Sequence, residues 1–268
     1  MIRLKNVSKI FNEKTPNETL ALKNVDLHVR DGDFITIIGS NGAGKTTLFN
    51  LVAGTYPPTE GKIFVRNQNV TRHPEFRRAK YIGRIFQDPL LGTASNMTLE
   101  DNMMICYKKG FKGLRISLNH RMREYFREQL IQLDMDLEDR MKENVMLLSG
   151  GQRQALTLLM MVLSKPELIL LDEHTAALDP KNAQIVLDLT TRFIKEYNLT
   201  TIMITHNMSQ AIAYGNRLLM MDKGEIIFDV EGEEKKTLTV EKLVKKFHEI
   251  RHKSFETDEV LLSDKHER

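Results

Sequence analysis

A run of apolar residues leading straight into a glycine-rich turn and then into a helical pattern is the feature that most narrows what this chain can be. The stretch is F-I-T-I-I-G-S-N-G-A-G-K-T, Phe34 to Thr46. Its last eight residues fit G-x-x-x-x-G-K-[ST]. Phe34 to Ile38 reads as a strand covered on both faces, and K-T-T-L-F-N-L-V-A reads as a helix with Gly54 as its C-cap. The glycines let loop N–H groups turn inward onto phosphate oxygens, and the helix N-terminus adds its positive dipole end. Lys45 places a charge on the β and γ phosphates of a nucleotide, and Thr46 can reach Mg²⁺. Gly39, Ser40, Asn41, Gly42, Ala43, Gly44, Lys45 and Thr46 are therefore the expected phosphate-loop residues.

Further short apolar runs, L-I-L-L at Leu168 to Leu171 and T-I-M-I-T at Thr201 to Thr205, alternate with helical patterns such as the one following Pro180. Strands alternating with helices predict an α/β, doubly wound parallel core. Arg3 to Phe11 and Leu22 to Arg30 alternate apolar and polar residues around the polar turn N-E-K-T-P-N-E-T, and with Ile63 to Val65 they predict an attached antiparallel β lobe. From Asp88 to about Leu147 helical periodicity replaces the strand signal, with Thr98 before L-E-D as a helix start. The expected organisation is the antiparallel lobe and phosphate-loop half of the core over 1–87, an inserted helical subdomain over 88–147, the second half of the core over 148–230, and a C-terminal helix with a charged tail over 231–268. That last part should be one amphipathic helix with Val240, Leu243, Val244, Phe247 and Ile250 on one side.

Composition excludes some classes of function. With 39 basic and 36 acidic residues the net charge is +3, too near neutral to argue for a nucleic-acid partner. One cysteine, Cys106, allows no intrachain disulfide and fits a reducing compartment. The N-terminus lacks the apolar segment of a signal peptide, and the longest apolar stretch, Ala155 to Leu171, is broken by Lys165 and Pro166 before it could span a bilayer. The basic segment Lys108 to Arg123 reads as a solvated loop and helix face, or as a contact for lipid headgroups or a partner.

Two more elements carry chemistry. At Leu168 to Glu173 a buried strand ends in two carboxylates that point to opposite faces. Asp172 is placed to hold Mg²⁺ through water, and Glu173 to polarise an attacking water as a base. The stretch L-S-G-G-Q-R-Q, Leu148 to Gln154, offers Ser149, Gly150 and Gly151 as phosphate donors at a second helix N-terminus. A γ-phosphate already held by one loop has little room for a second loop of the same molecule, which suggests that this one serves another nucleotide.

In order and content these motifs resemble the ATP-binding-cassette ATPases, the nucleotide-binding subunits of ABC transporters. Gly39 to Thr47 matches the Walker A loop, which adds Thr47, and Gln87 matches the Q-loop. Leu148 to Gln152 matches the signature, which adds Gln152; Leu168 to Glu173 matches Walker B, Ala177 to Asp179 the D-loop and His206 the switch histidine. The resemblance implies a P-loop NTPase core and a head-to-tail pair of cassettes, expected to be a homodimer, in which each signature closes on the ATP held by the other. It implies that Phe11 stacks on adenine, that Gln87 meets Mg²⁺ or the attacking water, and that His206 holds the γ-phosphate. Metal contacts would then be Thr46, Gln87 and Asp172, the catalytic groups Glu173, His206 and Gln87, and the cofactors ATP and Mg²⁺. Separate integral-membrane permease subunits, a place at the cytoplasmic face of the membrane, and an extracellular binding protein as a further partner follow from the same resemblance.

Two departures mark the chain. D-E-H-T-A-A-L-D stands where D-E-P-T-S-A-L-D is frequent, with His174 and Ala176 replacing proline and serine, and the helix after the signature lacks its usual arginine. The combination looks like a bacterial subgroup associated with amino-acid-like substrates, tryptophan or tyrosine among them. An importer is the expectation; an exporter subunit or a soluble cassette outside transport are the alternatives.

Overall fold

The computed structural model describes residues 1–107 and 118–249. Within them the elements run β1 (Ile2–Phe11), β2 (Thr19–Val29), β3 (Phe34–Gly39), α1 (Lys45–Ala53), β4 (Glu60–Val65), β5 (Gln68–Asn69), α2 (Glu75–Arg78), β6 (Ile82–Ile85), α3 (Leu99–Tyr107), α4 (His120–Ile131), α5 (Gly150–Leu163), β7 (Leu168–Asp172), α6 (Pro180–Glu196), β8 (Thr200–Ile204), α7 (Met208–Ala213), β9 (Arg217–Asp222), β10 (Glu225–Glu231) and α8 (Gly232–Lys236).

Two sheets result. The larger has the order β10-β9-β3-β8-β7-β6, parallel except for the antiparallel edge strand β10. The smaller, β2-β1-β4-β5, is antiparallel throughout. Strand periodicity explains why the runs in the larger sheet carry no polar alternation. On β7, Leu168 and Leu170 face the core shared with α1 and the antiparallel sheet, while Ile169 and Leu171 face the core shared with α5 and α6. On β8, Ile202 and Ile204 face the first layer and Met203 the second. The helix α1 is held at its C-terminal end by Arg78, a fully buried guanidinium that donates to the carbonyls of Leu51 and Val52 as well as to those of Val70, Thr71 and His73.

Between β6 and β7 lie α3, α4, two single 3₁₀ turns and α5. Thr98 caps α3 by accepting from the Asp101 N–H at 3.2 Å, and Asn119 caps α4. Phe126, Leu130 and Leu137 pack these helices onto Leu156 and Leu159 of α5. Most of the basic segment, residues 108–117, lies outside the described residues, as do Ile250 and the charged tail.

After β10 the structure places a short helix that the sequence reading did not expect ahead of the expected one, which begins at Val240. The short helix α8 comes first, and a helix over 240–249 follows a break at 237–239. Thr237 ends α8 and Thr239 starts the next helix, accepting from the Lys242 N–H at 3.3 Å; this second cap splits the segment. Leu243 is buried, while Val240 is exposed.

Candidate active site

The strand β3 drives the chain into the sheet's C-terminal edge, where Gly39 turns away under the β9 backbone. A Cβ at Gly39 would lie 2.3 Å from the Met221 carbonyl, so no other residue fits this turn without moving β9. The loop that follows is braced by the β9–β10 hairpin. Ser40 Oγ donates to Asp222 at 3.0 Å, and the Gly224 N–H donates to the Ala43 carbonyl at 3.1 Å. Lys45, the first residue of α1, folds back over the loop and donates to the carbonyls of Gly39 and Ser40 at 2.8 and 2.9 Å. Burial lowers the pKa of its ammonium, and the nearby Glu173 and Asp172 oppose that shift. Asn41, Gly42 and Thr46 stand exposed on the rim, with Thr47 behind them and half-buried.

Two strands away β7 ends in the carboxylate pair. Asp172 is nearly covered and accepts from Arg84 of β6 at 2.8 Å. Glu173 adopts a left-handed backbone, φ 49°, uncommon for a side chain of this kind and a form of strain found at functional turns. That turn lets its N–H donate to the Ile204 carbonyl at 3.1 Å and brings its carboxylate to 2.6 Å from His206 Nε2. His206 follows β8, the strand between β3 and β7. Three adjacent parallel strands therefore deliver, at their C-terminal ends, the phosphate loop, the histidine and both carboxylates. That edge is where open α/β sheets bind ligands.

Phe11 stands apart, at the end of β1 on the antiparallel sheet. Its ring meets Tyr56 edge-on at 5.5 Å, and Lys9 Nζ lies 5.1 Å from its centre. Gln87 is exposed just beyond β6. Ser149 and Gln152 form a capping box at the start of α5: Ser149 Oγ accepts from the Gln152 N–H, and the Gln152 carboxamide accepts from the Ser149 N–H. Gly151 packs so closely on the start of α6 that a Cβ would lie 2.9 Å from Asn182, whereas Gly150 is exposed. A pocket of about 220 Å³ opens beside Glu173 and His206, extending towards Ala176 and Gln210; neither Ser149 nor Gly150 lines it.

Three functional neighbours escape a reading of the sequence. Arg84 holds Asp172, and Asn50 of α1 holds Arg84. Gln154, fully buried in α5, donates to the His174 carbonyl at 2.7 Å and to the Phe86 carbonyl at 3.2 Å. It thereby joins the residue after Glu173 to the residue before Gln87. The available signals were weak: one charged residue inside I-G-R-I-F, one asparagine inside the α1 pattern, and a glutamine in the polar opening of the helix after L-S-G.

The donor set suits Mg²⁺. Among the described residues no cluster of three His, Cys, Asp or Glu side chains could cage a metal. A hydroxyl on Thr46 and a carboxylate on Asp172 instead match an ion held by one or two protein oxygens together with substrate phosphates.

Comparison with known proteins points to one family. A family model described as ABC transporter matches residues 22–176. The tyrosine transport ATP-binding protein of Clostridioides difficile (strain R20291) is 41% identical over 249 residues, covering 92% of this chain and 98% of that protein. An energy-coupling factor transporter ATP-binding protein of Clostridium perfringens (strain 13 / Type A) is 29% identical, covering 98% of this chain and 94% of that protein. Among solved structures, a dimeric ATP-binding cassette in a post-hydrolysis state, bound to ADP and Pi, superposes with a TM-score of 0.71 at 27% identity, covering 86% of this chain and 98% of that one.

Proposed function

The chain belongs to the ABC transporter family and is an ATP-binding cassette, an ATPase coupled to transport; from that premise we propose that two copies close on shared ATP and power uptake of an amino acid of the tyrosine type through separate membrane subunits. The observation that carries the ATPase site is the meeting of Lys45, Asp172, Glu173 and His206 at the ends of three adjacent parallel strands. The substrate class rests on the tyrosine transport relative, and the pairing on the dimeric cassette.

In this reading the loop amides and Lys45 hold the β and γ phosphates, the ammonium exchanging two carbonyl partners for phosphate oxygens. Thr46 and Asp172 would hold Mg²⁺, with Gln87 reaching towards it or the attacking water; when bound, the ion would supply positive charge against that building on the phosphate oxygens. Glu173 takes the proton of the attacking water as general base. His206 restrains its carboxylate until substrate is seated and then contacts the γ-phosphate. Phe11 stacks on adenine beside Tyr56. Phosphoryl transfer asks mainly for position and neutralised charge, and this site supplies both.

Among the described residues no helix is long and apolar enough to cross a membrane, and we place the cassette at the cytoplasmic face, against a permease. The docking site is an apolar cleft of about 980 Å³ between β6, α3 and α5, lined by Phe76, Phe86, Ile105, Cys106, Met160 and Met161. Phe76 at its rim is 71% exposed, a large apolar surface that a partner would cover. A thiol crosslinker on Cys106, the sole cysteine, should capture a membrane subunit in the native complex. No such capture would remove the cleft from consideration.

The test of the active site is Glu173→Gln. ATP binding, measured by fluorescence titration, should match the parent, while turnover falls by about 10² to 10⁴. Hydrolysis at the parent rate would refute the base assignment.

A further inference from the structure

Asp172 does not reach the metal site as a freely moving carboxylate. Its Oδ2 accepts from Arg84 Nη2 at 2.8 Å, and the other arm of the guanidinium, Nη1, donates to Asn50 Oδ1 at 2.6 Å. Asn50 belongs to α1, the helix that carries Lys45 and Thr46 at its N-terminus. The guanidinium also lies 4.7 Å from the centre of the Phe86 ring, which orients its plane. One planar group thus sets the distance between the two elements that carry the metal's protein ligands.

Stability alone does not account for the arrangement. Both side chains are largely withdrawn from water, 13% exposed for Arg84 and 14% for Asp172. Arg84 Nε is buried, with no hydrogen-bond partner among the described residues. Desolvating an ion pair costs roughly as much as the pair returns, and apolar residues of similar volume are often as stabilising. What the arginine supplies at this strand position is therefore the geometry of its fork rather than a net gain in stability.

We propose that Arg84 is a positioning residue for the metal site, fixing Asp172 against α1 so that its carboxylate and the Thr46 hydroxyl meet Mg²⁺ in a set geometry. This rests on the reading of Asp172 as a metal ligand. Groups that orient a ligating carboxylate typically change metal affinity by about 10- to 100-fold when removed. A mere counter-charge would do the opposite, because its removal leaves Asp172 more attractive to a cation. The direction of the effect therefore separates the two roles.

The experiment titrates MgCl₂ into the full chain with a fluorescent N-methylanthraniloyl ATP, after a reference titration of the nucleotide in EDTA. Arg84→Met should bind the nucleotide in EDTA within about twofold of the parent, yet need on the order of tenfold more Mg²⁺ to reach half of the metal-dependent gain. Arg84→Lys keeps the charge but cannot fork to both partners, and should fall between the two. It carries the same test if Arg84→Met does not fold. An unchanged or lower Mg²⁺ requirement would overturn the proposal, as would a parallel loss of binding in EDTA, which would mark a support for the loop. Asp172→Asn serves as the reference. If it leaves the Mg²⁺ midpoint in place, the metal reading of Asp172 falls and the proposal with it; if it shifts the midpoint and Arg84→Met does not, the proposal alone falls.

Discussion

His174 is a histidine almost wholly withdrawn from water. It follows the strained Glu173 and is 2% exposed, with Nε2 3.1 Å from Thr190 Oγ1. Thr190 gives its one hydroxyl proton to the Val186 carbonyl at 2.7 Å, so the imidazole is the donor to Thr190 and carries its proton on Nε2. Burial lowers its pKa to about 4. The unfolded chain therefore binds a proton between pH 6.5 and pH 4 that the folded chain refuses, and stability falls as pH drops through that window. Between pH 7 and pH 5 the loss attributable to this residue is about 2 kcal/mol. His174→Met, of similar volume and without a titrating group, should show that much less acid sensitivity in urea unfolding at the two pH values. Equal sensitivity in the two proteins would mean that His174 is reached by solvent before unfolding.

At the scale of elements, the helix that follows His206 is very short. α7 has six residues and is fastened at both ends. Asn207, next to His206, caps it by accepting from the Gln210 N–H at 3.0 Å. At the other end Lys235 of α8 donates to the carbonyls of Ile212, Tyr214 and Gly215 at 2.9, 2.6 and 3.0 Å. A helix this short has little stability of its own, so these contacts decide whether it forms. Lys235→Met leaves three half-buried carbonyls without that donor and should cost about 1 to 2 kcal/mol, seen as a lower thermal midpoint and faster hydrogen exchange along α7. A parent-like midpoint would show that water replaces the ammonium freely. The ends of the longer helices were legible in the sequence because the signals are local. Gly54 closes α1 in a left-handed conformation, and Asp179 with Pro180 opens α6. The phosphate loop and the carboxylate strand were legible for the same reason. Lys235 at α7 and Arg84 at Asp172 were not, because each contact joins residues apart in the chain and brought together only by the fold, Lys235 lying 20 to 23 positions from its carbonyls and Arg84 88 from Asp172. The short helix α8 was missed because G-E-E-K-K offers no apolar period, whereas the last helix begins at Val240, the first residue of the apolar period read from the sequence.

For the whole molecule, the second glycine motif sets the limit of what one chain can do. The capping box occupies the Ser149 and Gln152 side chains, and Gly151 is spent on the α5–α6 contact, which leaves the first-turn N–H groups around exposed Gly150 as the surface on offer. In the proposed pair that surface meets the γ-phosphate held by the partner. Substitution at Ser149 would confound the test, since loss of the cap itself costs about 1 kcal/mol. Gly150→Asp avoids this. A carboxylate in the first turn is favoured by the helix dipole, so the monomer should fold and bind ATP like the parent. The same charge set against a phosphate in the partner's site is strongly unfavourable. The variant should stay monomeric by light scattering in the presence of ATP, under conditions in which Glu173→Gln forms dimers, and should hydrolyse almost none. ATP-driven dimers of Gly150→Asp would exclude the signature from the shared site; loss of ATP binding by its monomer would place the signature on the chain's own nucleotide.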